Sequence, residues 1–145
     1  MKVFLDTSVL VASCVQAHPQ YAQAFPVVKR VVTGKDTGFI SSHSIAEVYA
    51  VLTRLPLQPR IHSSEAARLV QENFLDHFST VLLAKDDYTE SIKEMAQAGW
   101  IGGKIYDALI LRCAEKSGAD RIYTFNLNDF RQIASASLRN KVCTP

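Results

Sequence analysis

Apolar residues along the chain fall into two kinds of segment: short runs, and longer stretches in which they recur with helical spacing. The short runs are rich in β-forming residues and predict strands at residues 2–5, 37–42, 80–84 and 121–125, with a weaker candidate at 141–144. Helical spacing predicts helices over residues 45–52, 66–78, 86–96 and 106–114. A further helix over 21–32 contains Pro26, which we expect to break or restart it.

Strands and helices alternate throughout, and this order is typical of parallel strands joined by helical crossovers. The fold class is therefore α/β: a three-layer α/β/α arrangement with a central, mainly parallel sheet of about five strands. No repeat or linker interrupts the pattern, so residues 1–145 are expected to form a single domain. In such sheets ligands bind beyond the carboxyl ends of the strands, which is where chemistry should be sought.

Composition narrows the class of protein only slightly. The hydrophobic fraction of 48% and the charged fraction of 21% are ordinary globular values, and the net charge of +2 is too small to predict a nucleic-acid partner. The three cysteines show no zinc-binding spacing, and their odd number without a signal peptide favours the reducing cytoplasm. No apolar run approaches the length of a membrane span.

Acidic and amide residues fall at the ends of predicted strands or at the starts of the helices that follow. Asp6 ends the first strand, within the apolar segment "VFLDTSVLV", and Glu47 lies early in the helix after the second strand. Asp107 lies near the start of the helix "IYDALILRCA". Asn126 follows the "RIYTF" strand, and Asp129 comes three residues later. In a parallel sheet the residues that follow the strands approach one edge, and Asp107 joins them if its helix begins there.

Each of these residues also has a purely structural interpretation. Asp6 could cap the helix that starts at Thr7, and Asp129 could cap "FRQIA". Ser44 and Glu47 have the spacing of a capping box, with Glu47 reaching back to the N–H of Ser44. The negative charge of Asp107 could simply stabilise its helix by interacting with the positive end of the helix dipole.

Taken together, the acids favour chemistry over capping. Asp6 and Asp107 lie in strongly apolar surroundings, whereas caps usually lie in polar loops. Several carboxylates at one edge would raise each other's pKa unless a cation neutralised them. Oxygen ligands without histidine favour Mg²⁺ or Mn²⁺ over zinc. A metal held in this way can support the hydrolysis of phosphate esters.

Four segments together resemble a PIN domain, and more narrowly the VapC-type ribonuclease toxins of bacterial and archaeal toxin–antitoxin pairs: "FLDTSVLVA", "SSHSIAEVYAVLTR", "GGKIYDALILRCAEKSGADRIYTFNLNDF" and the closing "KVCTP". The resemblance implies a central parallel sheet and Mg²⁺- or Mn²⁺-dependent cleavage of RNA. It implies that Asp6, Glu47 and Asp107 form the catalytic, metal-binding set. It also implies supporting roles for Thr7 or Ser8 and for Thr124, a homodimer, and a cognate antitoxin protein.

The chain departs from the family pattern at its fourth position. Many members have Asp where this chain has Asn126, and an Asn can coordinate a metal through its amide oxygen but is neutral. Either Asn126 or an inward-turned Asp129 would complete the set. With three formal charges, we expect one metal to be held firmly and a second to bind only together with substrate phosphate.

Basic and aromatic residues supply weaker indications of RNA binding. Lys104 is close to Asp107 in the sequence, and Arg112 lies on the same predicted helix as Asp107. Both are candidates for substrate contact, although most lysines and arginines are simply solvated. Tyr106 or Trp100 could stack on a base, but helical core is the favoured interpretation of Tyr106.

Three other kinds of protein are alternatives to this interpretation. A catalytically weak or inactive PIN-like scaffold that binds RNA or protein is kept as an alternative because of Asn126. A phosphatase of the haloacid dehalogenase kind also has an Asp after its first strand, but it requires a second Asp where Ser8 lies. A receiver domain is disfavoured because no acidic pair precedes Asp6.

Overall fold

The computed structural model describes residues 1–145 and contains one five-stranded sheet in which every neighbouring pair of strands is parallel. The strands are β1 (Lys2–Leu5), β2 (Thr37–Ser41), β3 (Phe78–Val81), β4 (Arg121–Tyr123) and β5 (Val142–Cys143). Their order across the sheet is β3-β2-β1-β4-β5. The predicted α/β class with a central parallel sheet is therefore confirmed.

The central strand β1 is the point at which the chain changes direction across the sheet. From β1 the chain moves to β2 and β3 on one side, and it later returns to β4 and β5 on the other side. The carboxyl ends of β1 and β4 therefore border the topological switch point, where parallel α/β sheets bind their ligands. The residues that follow these two strands are Asp6 and Thr124.

Alternating side chains of β1 lead into two separate cores. Val3 and Leu5 are fully buried in a core with the first helices of the chain, whereas Phe4 is fully buried in a core with the last ones. This is the period-two alternation expected of a strand covered on both faces. The α-helices are α1 (Thr7–Cys14), α2 (Tyr21–Val32), α3 (Ser42–Arg54), α4 (Ser63–Val70), α5 (Lys85–Ala98), α6 (Lys104–Ser117), α7 (Leu127–Ile133) and α8 (Ala136–Arg139).

Helix α2 differs from expectation because it continues through Pro26 without a break. Pro26 lies on the exposed side of α2, whereas Ala24, Val28 and Val31 are buried against the first core. Burial of this apolar face on both sides of Pro26 offsets the missing backbone hydrogen bond.

The third strand begins earlier than its apolar run indicates, at Phe78 rather than at residue 80. The preceding helix α4 ends in a π-helical turn over Gln71–Leu75, so Phe78 belongs to the sheet and not to the helix. Phe78 pairs with Gly38 of β2, and a Cβ atom on Gly38 would lie 2.4 Å from the Phe78 ring. The missing side chain at Gly38 thus makes room for Phe78.

No helix is long and apolar enough to cross a membrane.

Candidate active site at the carboxyl edge of the sheet

Asp6 is a buried carboxylate at the junction of β1 and α1, with only 3% of its surface exposed. It occupies the N-cap position of α1, yet its side chain makes no capping hydrogen bond. No Lys, Arg or His lies within ion-pair distance of it. Burial raises its pKa, although hydrogen bonds from Ser8 and Thr124 act in the opposite direction. Capping therefore does not explain Asp6.

Two hydroxyls hold the Asp6 carboxylate in place. The Ser8 Oγ and Thr124 Oγ1 hydroxyls donate to the same oxygen, Oδ2, over 2.7 Å and 2.9 Å. Each hydroxyl also accepts a backbone N–H, from Phe125 at Ser8 and from Asn126 at Thr124. Because each hydroxyl oxygen accepts an N–H from one side, its own proton is directed towards Asp6. The chain after β4 is thereby tied to the start of α1.

Glu47 is one turn deeper in α3 than the predicted capping box requires. The helix begins at Ser42, and Ser41 caps it by accepting the N–H of Ser44 over 3.0 Å. The capping-box prediction is therefore wrong, because Ser41 already performs that function. Instead, Glu47 accepts the hydroxyl proton of Thr7 over 2.7 Å, which directs its carboxylate towards α1.

Asp107 lies in the first turn of α6 and makes neither a hydrogen bond nor an ion pair with another side chain. Burial raises its pKa to about 6, with further contributions from the negative charges of Asp6, Asp129 and Glu47. The positive charge of Lys104 acts in the opposite direction but does not offset them. Asp107 therefore experiences a negative field that no side chain of this chain neutralises.

These side chains line one cavity of about 400 Å³ at the switch point. Its lining is Asp6, Thr7, Ser8, Val11, His18, Gln20, Glu47, Val51, Tyr106, Asp107, Ile110, Phe125 and Asn126. The structure thus brings together the three acids that the sequence singled out and both hydroxyl residues of the "DTS" segment. In this arrangement no three His, Cys, Asp or Glu side chains converge closely enough to hold a metal ion by themselves.

Only one of the two candidates for the fourth position lies in the cavity. Asn126 lines the cavity. Asp129 does not, because its side chain is 61% exposed and faces Lys104 at 3.8 Å. The expected helix cap by Asp129 is also absent, since α7 begins at Leu127, before it.

The two basic candidates also lie outside the cavity lining. Lys104 lies over the Trp100 ring at 4.4 Å and donates to Gln132 over 2.9 Å. Arg112 is directed away from the acids and pairs with three glutamates at 3.1–3.6 Å, Glu90, Glu94 and Glu115. Arg112 is thus paired on the surface of α5 and α6, outside the cavity where it was expected to contact substrate.

Sequence reasoning missed two features of this edge. His18 and Gln20 line the cavity from the loop between α1 and α2, where the ring Nδ1 of His18 accepts the Gln20 N–H over 3.1 Å. The polar segment "AHPQ" soon after an apolar helix was the available signal. Tyr106, favoured as core, is instead 58% exposed.

Comparison with known proteins agrees with this geometry. The family model of the PIN domain matches residues 3–136. Ribonuclease VapC27 of Mycobacterium tuberculosis is 32% identical over 117 residues, which are 80% of this chain and 79% of that protein. Ribonuclease VapC40 of the same species is 34% identical over 116 residues, 79% of each chain. The chain therefore belongs to the PIN domain family and, within it, to the VapC ribonucleases.

Two solved structures share the fold at lower identity. The M. tuberculosis toxin VapC20, described as cleaving the sarcin–ricin loop, superposes with a TM-score of 0.66 at 18% identity, covering 88% of this chain and 92% of that one. The VapBC2 structure of Rickettsia felis, bound to a DNA fragment from its promoter, gives 0.63 at 23% identity and covers 92% and 93%. At these identities the likeness concerns the fold.

Proposed function

We propose that this chain is a metal-dependent endoribonuclease, the toxin component of a type II toxin–antitoxin pair. In this role it hydrolyses RNA phosphodiester bonds by means of a carboxylate-bound Mg²⁺ or Mn²⁺ and an activated water. The observation that carries the proposal is the cavity at the switch point, which Asp6, Glu47 and Asp107 line together and in which no Lys or Arg pairs with them. A ribonuclease family explains why such an unfavourable charge arrangement is kept.

The donor set fits a hard divalent cation. Carboxylate, hydroxyl and amide oxygens line the cavity, and such ligands suit Mg²⁺ and Mn²⁺. We assign Asp6 and Asp107 as its principal ligands, together with Glu47 and the amide oxygen of Asn126. Because the acids do not converge on one point, water or substrate oxygens would complete the coordination, and Mg²⁺ normally keeps several waters.

The bound ion would lower the pKa of a water molecule and offset charge that develops on the phosphate. The side chains of the protein contribute by orienting the carboxylates. Ser8 and Thr124 keep Asp6 in one rotamer, and Thr7 does the same for Glu47. At neutral pH Asp107 is mostly ionised, since its pKa of about 6 lies below 7.

His18 supplies a ring N–H donor to the cavity. Its Nδ1 accepts a backbone N–H, so the neutral ring carries its proton on Nε2. That nitrogen has no partner within the chain and remains for a phosphate oxygen of the substrate. We assign His18 a substrate-positioning role on this basis.

The test is RNA cleavage with Mg²⁺ or Mn²⁺, with and without a chelator, by the wild type and by Asp107→Asn. We expect cleavage by the wild type that EDTA abolishes and that added metal restores, and a loss of at least a hundredfold in the variant. Cleavage that survives both treatments would sink the assignment. Failure of the wild type to cleave any RNA, with binding retained, would instead favour the alternative of an inactive PIN-like scaffold, which the neutral Asn126 keeps open.

The remaining assignments follow from the same proposal. We propose that a cognate antitoxin binds this chain, that the toxin forms a homodimer and acts in the cytoplasm, and that residues 1–145 form one domain. The VapBC2 structure of Rickettsia felis supports a protein partner for a related chain. Sedimentation of the chain alone should show a dimer. Coexpression with the product of an adjacent small reading frame should abolish RNA cleavage.

A further inference from the structure

A second, smaller cleft of about 100 Å³ lies beside the cavity that Asp6, Glu47 and Asp107 line, which we call the catalytic cavity. It is bordered by α6, by the start of α3 and by the segment between β3 and α5, and its aromatic wall consists of His43, Tyr88 and Tyr106. Leu83 and Leu109 supply much of the apolar remainder. We call it the aromatic cleft.

The aromatic cleft is continuous with the catalytic cavity. Tyr106 and Ile110 line both, and Tyr106 directly precedes Asp107 in the chain. A second connection runs through His43, whose Nε2 lies 4.0 Å from the Glu47 carboxylate. A substrate bound at the acids therefore extends directly past the aromatic wall.

Two rings of the aromatic wall, those of His43 and Tyr106, are parallel and exposed. The His43 and Tyr106 rings are 3° from parallel, with centroids 6.0 Å apart. Both side chains are more than half exposed, at 57% for His43 and 58% for Tyr106. This separation leaves no room for a further ring between them. Another planar group can stack only against an outer ring face or enter the cleft beside them.

The chemistry of the cleft favours a nucleobase over a phosphate. No Lys or Arg lines it, so it offers no charge to a phosphate group. Aromatic side chains instead stack on bases of every kind, and each stacked base contributes substantially to single-strand binding. Ser42, which is exposed, also lines the cleft and offers a polar group for a base edge.

We propose that the aromatic cleft binds the base of a nucleotide flanking the scissile phosphate, with Tyr106 as the stacking platform. The proposal rests on the proposed ribonuclease function, which supplies the RNA, and deepens it by naming a base-binding subsite. Tyr106 is then a substrate-binding residue, and its exposure is explained because RNA covers it during cleavage.

The test is a double-mutant cycle between the protein and the RNA. An oligoribonucleotide with one mapped cleavage site is synthesised with an abasic residue on either side of the scissile phosphate. For the wild type we expect kcat/KM to fall about 10-fold or more at one of the two positions, as the loss of one stacked base predicts. Tyr106→Ala should show the same fall on intact RNA and no further fall on that abasic RNA, whereas Tyr106→Phe should behave as the wild type.

Tyr49→Ala is the matched control. Tyr49 is another exposed tyrosine, on α3, and it lines neither cavity. It should keep wild-type kcat/KM on intact and abasic RNA. If the abasic residue lowers kcat/KM of Tyr106→Ala by the same factor as it lowers that of the wild type, the two losses are independent. That result would overturn the proposed subsite.

A binding measurement separates this proposal from the ribonuclease assignment. An oligoribonucleotide with a single 2-aminopurine is titrated with Asp6→Asn protein, and its fluorescence is compared with a titration of the Asp6→Asn/Tyr106→Ala double variant. Quenching that requires Tyr106 supports the cleft even if the wild type cleaves no RNA, which would refute only the proposed function. Equal quenching by both proteins would refute the cleft.

Discussion

Thr124 is the residue on which the position of Asp6 depends most. Its hydroxyl donates to the buried carboxylate and accepts the Asn126 N–H, so it connects two strands through one oxygen. We predict that Thr124→Val, which keeps the shape but removes the hydroxyl, lowers the free energy of unfolding by about 1–3 kcal/mol. It should also reduce RNA cleavage.

The check is urea denaturation together with cleavage kinetics, with Thr124→Ser as the control. Because Ser keeps the hydroxyl, we expect it to retain most of both stability and activity. A Thr124→Val protein with unchanged activity would show that Asp6 does not need this hydroxyl.

Asp107 should destabilise the metal-free protein at neutral pH. Its pKa is raised from 3.8 to about 6, so between these values the folded chain holds a proton that the unfolded chain releases. Stability is therefore lost as the pH rises through this window. We predict that Asp107→Asn is more stable than the wild type in EDTA at pH 8, by about 1–2 kcal/mol after allowance for solvent screening.

Urea denaturation at pH 8 and at pH 3.5 measures this effect. Near pH 3.5 both states of the wild type are largely protonated at Asp107, so the two proteins should then be nearly equal. A variant that is less stable than the wild type at pH 8 would mean that Asp107 makes a favourable contact in the metal-free chain.

The acids of the site could be predicted from the sequence because their surroundings are unusual for charge. Asp6 and Asp107 lie in apolar segments, and strand topology brings such segments to one edge. Glu47 was predicted with the wrong hydrogen bond, because its partner Thr7 lies 40 positions away. The residues around His18 do not indicate a functional role as clearly, because its position in the cavity depends on how α1 and α2 pack.

At the scale of single elements, Gly38 of β2 has no room for a side chain. A Cβ on this residue would lie 2.4–2.5 Å from Phe78 and Val31, which are both buried. We predict that Gly38→Ala lowers the free energy of unfolding by about 1–3 kcal/mol through overpacking. Thermal denaturation measures the loss.

Gly103→Ala is the matched control for this substitution. Gly103 has a helical backbone conformation, and the nearest atom to its added Cβ would be 3.9 Å away. It should melt within a degree or two of the wild type. Equal melting temperatures for Gly38→Ala and the wild type would contradict the close packing of β2 and β3.

The periodicity of apolar residues predicted the helices and strands well wherever local sequence preference decides the structure. All five predicted strands exist, and the errors occur where tertiary contacts override local preference. Pro26 is tolerated because it faces solvent, and the start of β3 is set by the pairing of Phe78 with Gly38. Neither contact can be read from neighbouring residues.

At the scale of the whole molecule, buried acids at the two edges of the sheet differ in whether a cation pairs with them. Asp36 precedes β2 at the amino edge, where Arg30 donates to it over 2.6 Å and 3.1 Å and the terminal amine of Met1 lies at 3.3 Å. The carboxyl edge has acids without such partners.

Asp36 should therefore contribute to acid sensitivity. Its hydrogen bonds with Arg30 lower its pKa below 3.8, so its contribution is present above that value and is lost as the pH falls further. We predict that Asp36→Asn melts at a lower temperature than the wild type at pH 7. The difference should shrink at pH 2, and a constant difference would contradict the ion pair.

The central claim is that the carboxylates at the switch point carry out RNA hydrolysis, and the most direct test compares two aspartates. The rate of RNA cleavage in Mg²⁺ is measured for the wild type, for Asp6→Asn and for Asp86→Asn, whose exposed carboxylate on α5 lies outside the cavity. We predict that Asp6→Asn remains folded and loses activity by at least a hundredfold, whereas Asp86→Asn cleaves as the wild type does. A folded Asp6→Asn protein that cleaves RNA at the wild-type rate would contradict the claim.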